Sequence, residues 1–147
     1  MAPSGGELFG YSSGTVHLTC PYPKMEAGAK TVVVAEDEIL IRLLAADVLT
    51  EAGFDVIEAG NAEEALTTLQ SRPWETHLLF TDIHMPGQMS GLEPAHHVRR
   101  SWPHVALLIA SGRDKPHPST LPDGSIFLPK PYNPHHVVLH AKTLTAA

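Results

Sequence analysis

The sequence predicts an α/β fold in which a parallel β-sheet is covered by helices on both faces. Short apolar, β-rich runs alternate with amphipathic helical segments from Thr31 to the last residue. Glycine, proline and asparagine separate most of these segments, as expected at strand and helix ends. Strands that alternate with helices usually pair in parallel, because each helix returns the chain to the same end of the sheet. The length of 147 residues suggests one domain with a sizeable core.

The first half of this repeating region predicts three strands and two helices. The strands are 31–35, 54–59 and 77–81. The first helix starts near Glu38 and stops at Gly53, and its large apolar residues fall on one face, which predicts that this face is buried: Leu40, Leu43, Leu44 and Val48. Asn61, with Glu64 three residues later, predicts the start of the second helix, and Pro73 predicts its end.

The second half predicts two more strands and two more helices. A helix is predicted over 92–101, and strands over 105–110 and 125–128. Asn133 followed by Pro134 is typical of a helix start, and Val137, Ala141 and Leu144 form the apolar stripe of that helix. Residues 111–125 contain three prolines and two glycines, so the fourth helix of the alternation is expected to be short or missing.

Composition narrows the classes of function. Ten Lys and Arg residues stand against sixteen Asp and Glu residues, and the net charge of −6 disfavours binding to nucleic acid. One cysteine fits a reducing compartment. The sequence has neither an apolar run long enough for a membrane span nor a secretory signal, so a cytoplasmic protein is expected.

Residues 1–30 are rich in Gly, Ser and Pro and predict a flexible N-terminal extension before a domain over 31–147.

Polar side chains directly follow four of the predicted strands. They are Glu36 and Asp37, Asp82, Ser111 and Lys130. Each is explained alone by a helix cap, a turn or a solvated charge, but the carboxyl ends of parallel strands meet at one edge, where ligands bind. Three carboxylates and one ammonium group sum to −2, which suits Mg²⁺. A carboxylate beside Mg²⁺ and a lysine is a plausible acceptor for a phosphoryl group, so an acyl-phosphate site is one hypothesis.

Four motifs, in this order and spacing, resemble the response-regulator receiver domain of two-component signalling. They are Val34-Ala35-Glu36-Asp37-Glu38, Thr81-Asp82-Ile83-His84-Met85-Pro86-Gly87, Ala110-Ser111-Gly112 and Lys130-Pro131-Tyr132. The resemblance covers 31–147 and implies a flavodoxin-like, doubly wound five-stranded parallel sheet in the order 2-1-3-4-5. The proline-rich replacement of the fourth helix departs from that pattern and puts the usual output face in doubt.

The resemblance also implies a role for each site residue. Asp82 would accept a phosphoryl group from a histidine kinase or a phosphotransfer protein. Mg²⁺ would be held by Asp37, Asp82 and the backbone carbonyl of His84, with Glu36 reaching it through water. Ser111 and Lys130 would bind the phosphoryl group, Phe127 matches an aromatic switch position, and His84 and Arg113 match positions that modulate phosphoryl lifetime. The bond between Lys130 and Pro131 is expected to be cis.

The expected protein is a stand-alone receiver rather than an enzyme, with no DNA-binding or enzymatic domain expected after Ala147. It would lose its phosphoryl group slowly and act by changing its surface for an unknown downstream protein or by relaying the phosphoryl group. Homodimer formation stays open. One alternative is a degenerate receiver that serves as a constitutive protein-binding module. Another is a phosphatase of the haloacid dehalogenase type, which would need an aspartate where His84 stands.

Overall fold

The computed structural model describes residues 28–85, 87, 89–112 and 115–146. Its strands and helices are, in chain order, β1 (Thr31–Ala35), α1 (Ile39–Glu51), β2 (Asp55–Ala59), α2 (Ala62–Ser71), β3 (Thr76–Asp82), α3 (Leu92–Ser101), β4 (Ala106–Ser111), β5 (Ile126–Pro129) and α4 (Pro134–Thr145). The predicted strands and helices are present, with ends shifted by at most a few residues. The predicted extension lies outside the described residues except for 28–30, and Arg113 also lies outside them.

The five strands form one parallel sheet in the order β2-β1-β3-β4-β5. This flavodoxin-like arrangement confirms the predicted fold class. The register pairs Ala35 with Thr81, Asp82 with Ala110, and Ser111 with Pro129. The residues that end or directly follow β1, β3, β4 and β5 therefore meet at one edge of the sheet.

Two apolar cores lie on the opposite faces of the sheet. One contains Ala45 and Leu49 of α1 together with Val137 and Ala141 of α4. The other contains buried residues of α2 and α3, among them Leu69 of α2 and Val98 of α3. Because helices cover both faces, β1 is buried along its whole length and is apolar from Val32 to Ala35. Among the helices of the described residues, none has the length and apolar character that a bilayer crossing requires.

The predicted buried face of α1 is wrong. Leu40, Leu43 and Leu44 are 81%, 48% and 51% exposed, whereas the side chains of α1 that are buried belong to Ala45, Ala46 and Leu49. Both stripes have helical spacing, so periodicity alone does not choose between them. Ala45 packs in one core with Val32 and Val34 of β1, and its small side chain lets the helix backbone approach the sheet. The leucines are left beside the contact.

The connection between β4 and β5 has a single turn of 3₁₀ helix, Pro118–Thr120, in its described part. The expected short or missing fourth helix is therefore confirmed. Prolines lack the N–H that a continuing helix needs, which explains why the turn stops. Leu121 packs against the core formed with α2 and α3, and His96 of α3 donates from Nε2 to the carbonyl oxygen of Thr120 at 2.8 Å.

Candidate functional site

Three carboxylates converge at the carboxyl edge of the sheet. Glu36 and Asp37 directly follow β1, and Asp82 is the last residue of β3. One carboxylate oxygen from each lies within 4.8 Å of the others. Glu36 and Asp82 are buried and Asp37 is half-buried. The sheet register explains this convergence, because it places the ends of the neighbouring strands β1 and β3 side by side.

Lys130 bridges two of these carboxylates. Its Nζ lies 2.7 Å from Glu36 Oε1 and 3.0 Å from Asp82 Oδ2, and all three side chains are largely buried. The backbone N–H of Lys130 donates to the carbonyl oxygen of Ser111 at 2.8 Å, which ties the end of β5 to the end of β4. The peptide bond between Lys130 and Pro131 is cis. The lysine is therefore fixed at both its backbone and its ammonium group.

The pKa values show how burial and pairing compete in this cluster. Burial raises the pKa of Glu36, and the hydrogen bond from Lys130 offsets part of that effect. Burial alone would lower the pKa of Lys130, but its bonds and Coulombic attraction to Glu36 and Asp82 together raise it above the ordinary value. Burial, together with the nearby charge of Glu36, raises the pKa of Tyr132 to about 12. Lys130 thus stays positively charged where the carboxylates need a cation.

An open cavity of about 360 Å³ adjoins the cluster. Its lining residues are Asp37, Glu38, Asp82, His84, Gly112 and Lys130. The backbone N–H of His84 donates to Asp82 Oδ1 at 3.4 Å, a long hydrogen bond. Three carboxylates and one ammonium group leave a net charge of −2, and carboxylate oxygens are the ligands that Mg²⁺ prefers. The donor set therefore fits a hard divalent cation.

The structure also locates the other predicted site residues. Ser111 ends β4 and is buried, so its position adjoins the end of β3. Phe127 lies in β5, three residues before Lys130, and packs half-buried against the core formed with α2 and α3. His84 is exposed at the mouth of the cavity. Of the predicted site residues that are described, Glu36, Asp37, Asp82 and Lys130 bring their charged groups together. His84 and Ser111 join them through backbone hydrogen bonds to Asp82 and Lys130.

Two residues at the site escaped the sequence analysis. Arg42 donates from Nη1 to the carbonyl oxygen of Glu36 at 2.9 Å and from Nε to Glu58 Oε1 at 3.0 Å. Its signal in the sequence is that it is the sole basic residue of α1. Gly91 packs against Asp82 so closely that an added Cβ would lie 1.8 Å from the Asp82 carbonyl oxygen. A glycine in the loop after β3 is not by itself a signal for such a contact.

A comparison with protein-family models finds one family on this chain. The response regulator receiver domain matches residues 32–142, which is most of the chain. The order of the strands and the acidic edge agree with that family. The chain belongs to the response-regulator receiver domains, a family of signalling domains of two-component systems.

Curated relatives and solved structures are similar to this chain over most of its length. It is 29% identical over 110 residues to the sensor kinase CckA of Brucella abortus, covering 73% of this chain and 12% of the relative. It is 31% identical to the transcriptional regulatory protein PdtaR of Mycobacterium tuberculosis, covering 79% of this chain and 57% of PdtaR. The chain is also similar to the response regulator TrrA of Thermotoga maritima, whose crystal structure was solved in complex with Mg²⁺ and BeF. The sequences are 29% identical, and the match covers 78% of this chain and 98% of TrrA with a TM-score of 0.69. The chain thus spans at most about three fifths of these two curated relatives.

Proposed function

We propose that Asp82 is the phosphoacceptor of a signalling switch, and that its phosphoryl group comes from a histidine kinase or a histidine phosphotransfer protein. One observation carries the proposal: the Asp82 carboxylate lies with two further carboxylates and Lys130 beside a cavity at the carboxyl edge of the sheet. That edge is where ligands bind in open α/β sheets. Membership of the receiver family supports the same reaction.

The proposed transfer joins a carboxylate oxygen of Asp82 to the phosphorus of a phosphohistidine. The bond between phosphorus and the imidazole nitrogen breaks, and the nitrogen keeps the electron pair. The product is a mixed carboxylic-phosphoric anhydride on Asp82. Transfer of this kind depends mainly on positioning and on neutralising the phosphoryl oxygens. The backbone of Asp82 is held in the sheet, where β3 pairs with β4, and this fixes the point from which its side chain projects.

Mg²⁺ is the proposed cofactor. Glu36, Asp37, Asp82 and the backbone carbonyl of His84 would hold it, with Glu36 acting through water. The cation would neutralise charge on the transferred group and relieve the repulsion between the carboxylates. The Mg²⁺ and BeF of the TrrA complex support this proposal, since that protein is similar to this chain over most of its length.

Lys130 and Ser111 are the proposed phosphoryl-binding residues. The ammonium group of Lys130 already contacts Asp82 and would pair with a phosphoryl oxygen attached there. Ser111 ends the neighbouring strand and would supply a hydroxyl donor. Phe127 would change its packing when Ser111 moves, and His84 and Arg113 would set how slowly the anhydride hydrolyses. Phosphorylation would thereby bias a two-state surface.

An exposed apolar face on α1 is the proposed docking surface for the phosphodonor. It consists of Ile39, Leu40, Leu43 and Leu44. The face begins two residues after Asp37, and Leu44 also lines an apolar groove with Pro131 and Tyr132 beside Lys130. A donor that brings its phosphohistidine to Asp82 must therefore lie over this apolar face.

The cytoplasm is the proposed compartment of this reaction. The downstream protein would bind the changed surface or receive the phosphoryl group.

The test is phosphorylation by a small donor. The full chain is incubated with acetyl phosphate and Mg²⁺, and its intact mass is measured for the wild type, Asp82→Asn and Asp47→Asn. Asp47 is an exposed carboxylate of α1 and serves as the matched control. We expect one hydroxylamine-labile phosphoryl adduct in the wild type and in Asp47→Asn, and none in Asp82→Asn or with EDTA. A wild type without an adduct would contradict the proposal and favour a constitutive binding module.

A further inference from the structure

We infer that Arg42 is a positioning residue for the divalent cation, because its guanidinium group fixes the main chain from which two of the three carboxylates project. The inference rests on the proposed Mg²⁺ site and deepens it. The hydrogen bonds and the ion pair of Arg42 among the described residues go to the Glu36 carbonyl and to Glu58, so its effect on the cluster passes through the backbone. The contact that carries the inference is the hydrogen bond from Arg42 Nη1 to the carbonyl oxygen of Glu36, at 2.9 Å.

The carbonyl group of Glu36 belongs to the peptide plane that links Glu36 to Asp37. The backbone N–H on the other side of Glu36 donates to the carbonyl oxygen of Ala59 in β2, at 3.0 Å. Both polar backbone groups of Glu36 are therefore held just beyond the end of β1. Fixing this peptide plane sets the direction in which the side chain of Asp37 leaves the chain. Convergence on Asp82 requires that direction.

Glu58 holds the guanidinium group in place. Its Oε1 accepts from Arg42 Nε at 3.0 Å, with side-chain exposures of 19% for Arg42 and 38% for Glu58. Glu58 belongs to β2, the strand that pairs with β1. An arginine can serve both acceptors at once because its donors form a rigid planar fork. The contact therefore locks the turn after β1 to the edge strand of the sheet.

Charge and positioning predict opposite effects when Arg42 is replaced. Loss of a positive charge near three carboxylates makes the region more negative, which by itself strengthens Mg²⁺ binding. Loss of the backbone anchor loosens two ligands and weakens Mg²⁺ binding. Replacement of residues that orient metal ligands typically costs about 10- to 100-fold in metal affinity. The sign of the change therefore separates the two explanations.

The experiment is a calorimetric titration of the full chain with MgCl₂, performed well below the melting temperature of each variant. The variants are Arg42→Met, Glu58→Gln and the double variant, which retains the net charge of the wild type. We expect Arg42→Met and the double variant to bind Mg²⁺ about tenfold more weakly than the wild type. We expect a smaller loss in Glu58→Gln, since Arg42 can still donate to Glu36. Circular dichroism melting establishes that each variant is folded at the titration temperature.

The outcomes distinguish this inference from the proposed function. Unchanged or tighter Mg²⁺ binding in Arg42→Met, or wild-type affinity in the double variant, would overturn the inference and leave the phosphoacceptor proposal standing. A loss in Glu58→Gln larger than that in Arg42→Met would also overturn it, because the effect would then follow charge rather than the backbone anchor. A wild type that binds no Mg²⁺ would refute the proposed cation site and this inference together.

Discussion

At the scale of single residues, the backbone of Asp82 is tightly packed against Gly91. The backbone N–H of Gly91 donates to the carbonyl oxygen of Ile83 at 3.0 Å, and the loop before α3 presses against the end of β3 there. A Cβ on residue 91 would also lie 2.7 Å from Thr81 Oγ1. Backbone atoms cannot turn aside as a flexible side chain can. The position of the carboxylate therefore depends on the absence of a side chain at residue 91.

Replacing Gly91 with alanine should displace the end of β3 and destabilise the fold. We expect a loss of about 1–3 kcal/mol or more in the free energy of unfolding, as for other overpacked sites. Urea denaturation of Gly91→Ala measures it, with Gly112→Ala as the matched control. A Cβ on residue 112 meets atoms of the Lys130 side chain at 3.5 and 3.6 Å, which is ordinary contact. Equal losses in both variants would contradict the close approach at Gly91.

Tyr132 offers a residue-scale test through pH. Burial raises the pKa of its phenol from 10.0 to about 12. The folded chain keeps this proton where the unfolded chain has lost it, so the stabilising contribution is complete below pH 10 and is lost as the pH rises toward 12. We expect the difference in phenolate absorbance between wild type and Tyr132→Phe to titrate well above pH 10. A difference that titrates at the ordinary pKa would show that the phenol is not desolvated.

At the scale of secondary structure, α1 carries two apolar stripes with different partners. Ala45 and Leu49 pack in the core that the sheet and α4 share, while the leucines nearer the start of the helix face outward. A helix that buried its leucines instead would turn the alanine stripe outward and leave the groove beside Tyr132 without Leu44. The exposed stripe is thus a consequence of packing α1 by its small residues.

Two leucines of α1 should respond differently to truncation. Leu49→Ala removes a fully buried side chain and is expected to cost about 2–5 kcal/mol of unfolding free energy. Leu40→Ala removes a side chain that is 81% exposed and is expected to change it by at most about 0.5 kcal/mol. The measurement is urea denaturation of both variants under identical conditions. A large loss in Leu40→Ala would mean that the leucine stripe is buried in solution.

At the scale of the whole molecule, an acidic chain concentrates charge at one edge of its sheet. The net charge is −6, and three carboxylates with one ammonium group occupy that edge. Like charges this close repel each other and weaken the folded state. A cation that binds the folded chain but not the unfolded chain would stabilise the fold. The gain grows with the logarithm of the ratio of the cation concentration to its dissociation constant.

Asp37→Asn should therefore lower the stability of the fold in the presence of Mg²⁺ but not in its absence. In EDTA we expect the melting temperature to stay equal or rise, because one repelling charge is gone. At a Mg²⁺ concentration of about 100 times the dissociation constant, the wild type should gain about 2.7 kcal/mol, and the variant should lose most of that gain. Thermal melting by circular dichroism measures both. A gain that Mg²⁺ confers equally on both proteins would place the cation elsewhere.

The sequence by itself determined the fold class and the set of side chains at the edge of the sheet. Strand and helix periods are local properties of the chain, so alternating segments were enough to predict a parallel sheet. The parallel sheet then requires that residues that end or directly follow its strands, such as Asp82 and Lys130, share one edge. Proline and glycine between β4 and β5 were likewise enough to predict the loss of a helix.

Tertiary structure alone decided which side of α1 is buried, and it placed Arg42 and Gly91 at the site. Arg42 reaches Glu58, sixteen residues away in the chain, and Gly91 meets the backbone of Asp82 across a loop. Such contacts depend on the distance between elements after the core has closed, and no local pattern encodes that distance. Close packing fixes it, because a small residue such as Ala45, packed in the core with β1, lets α1 lie near the sheet.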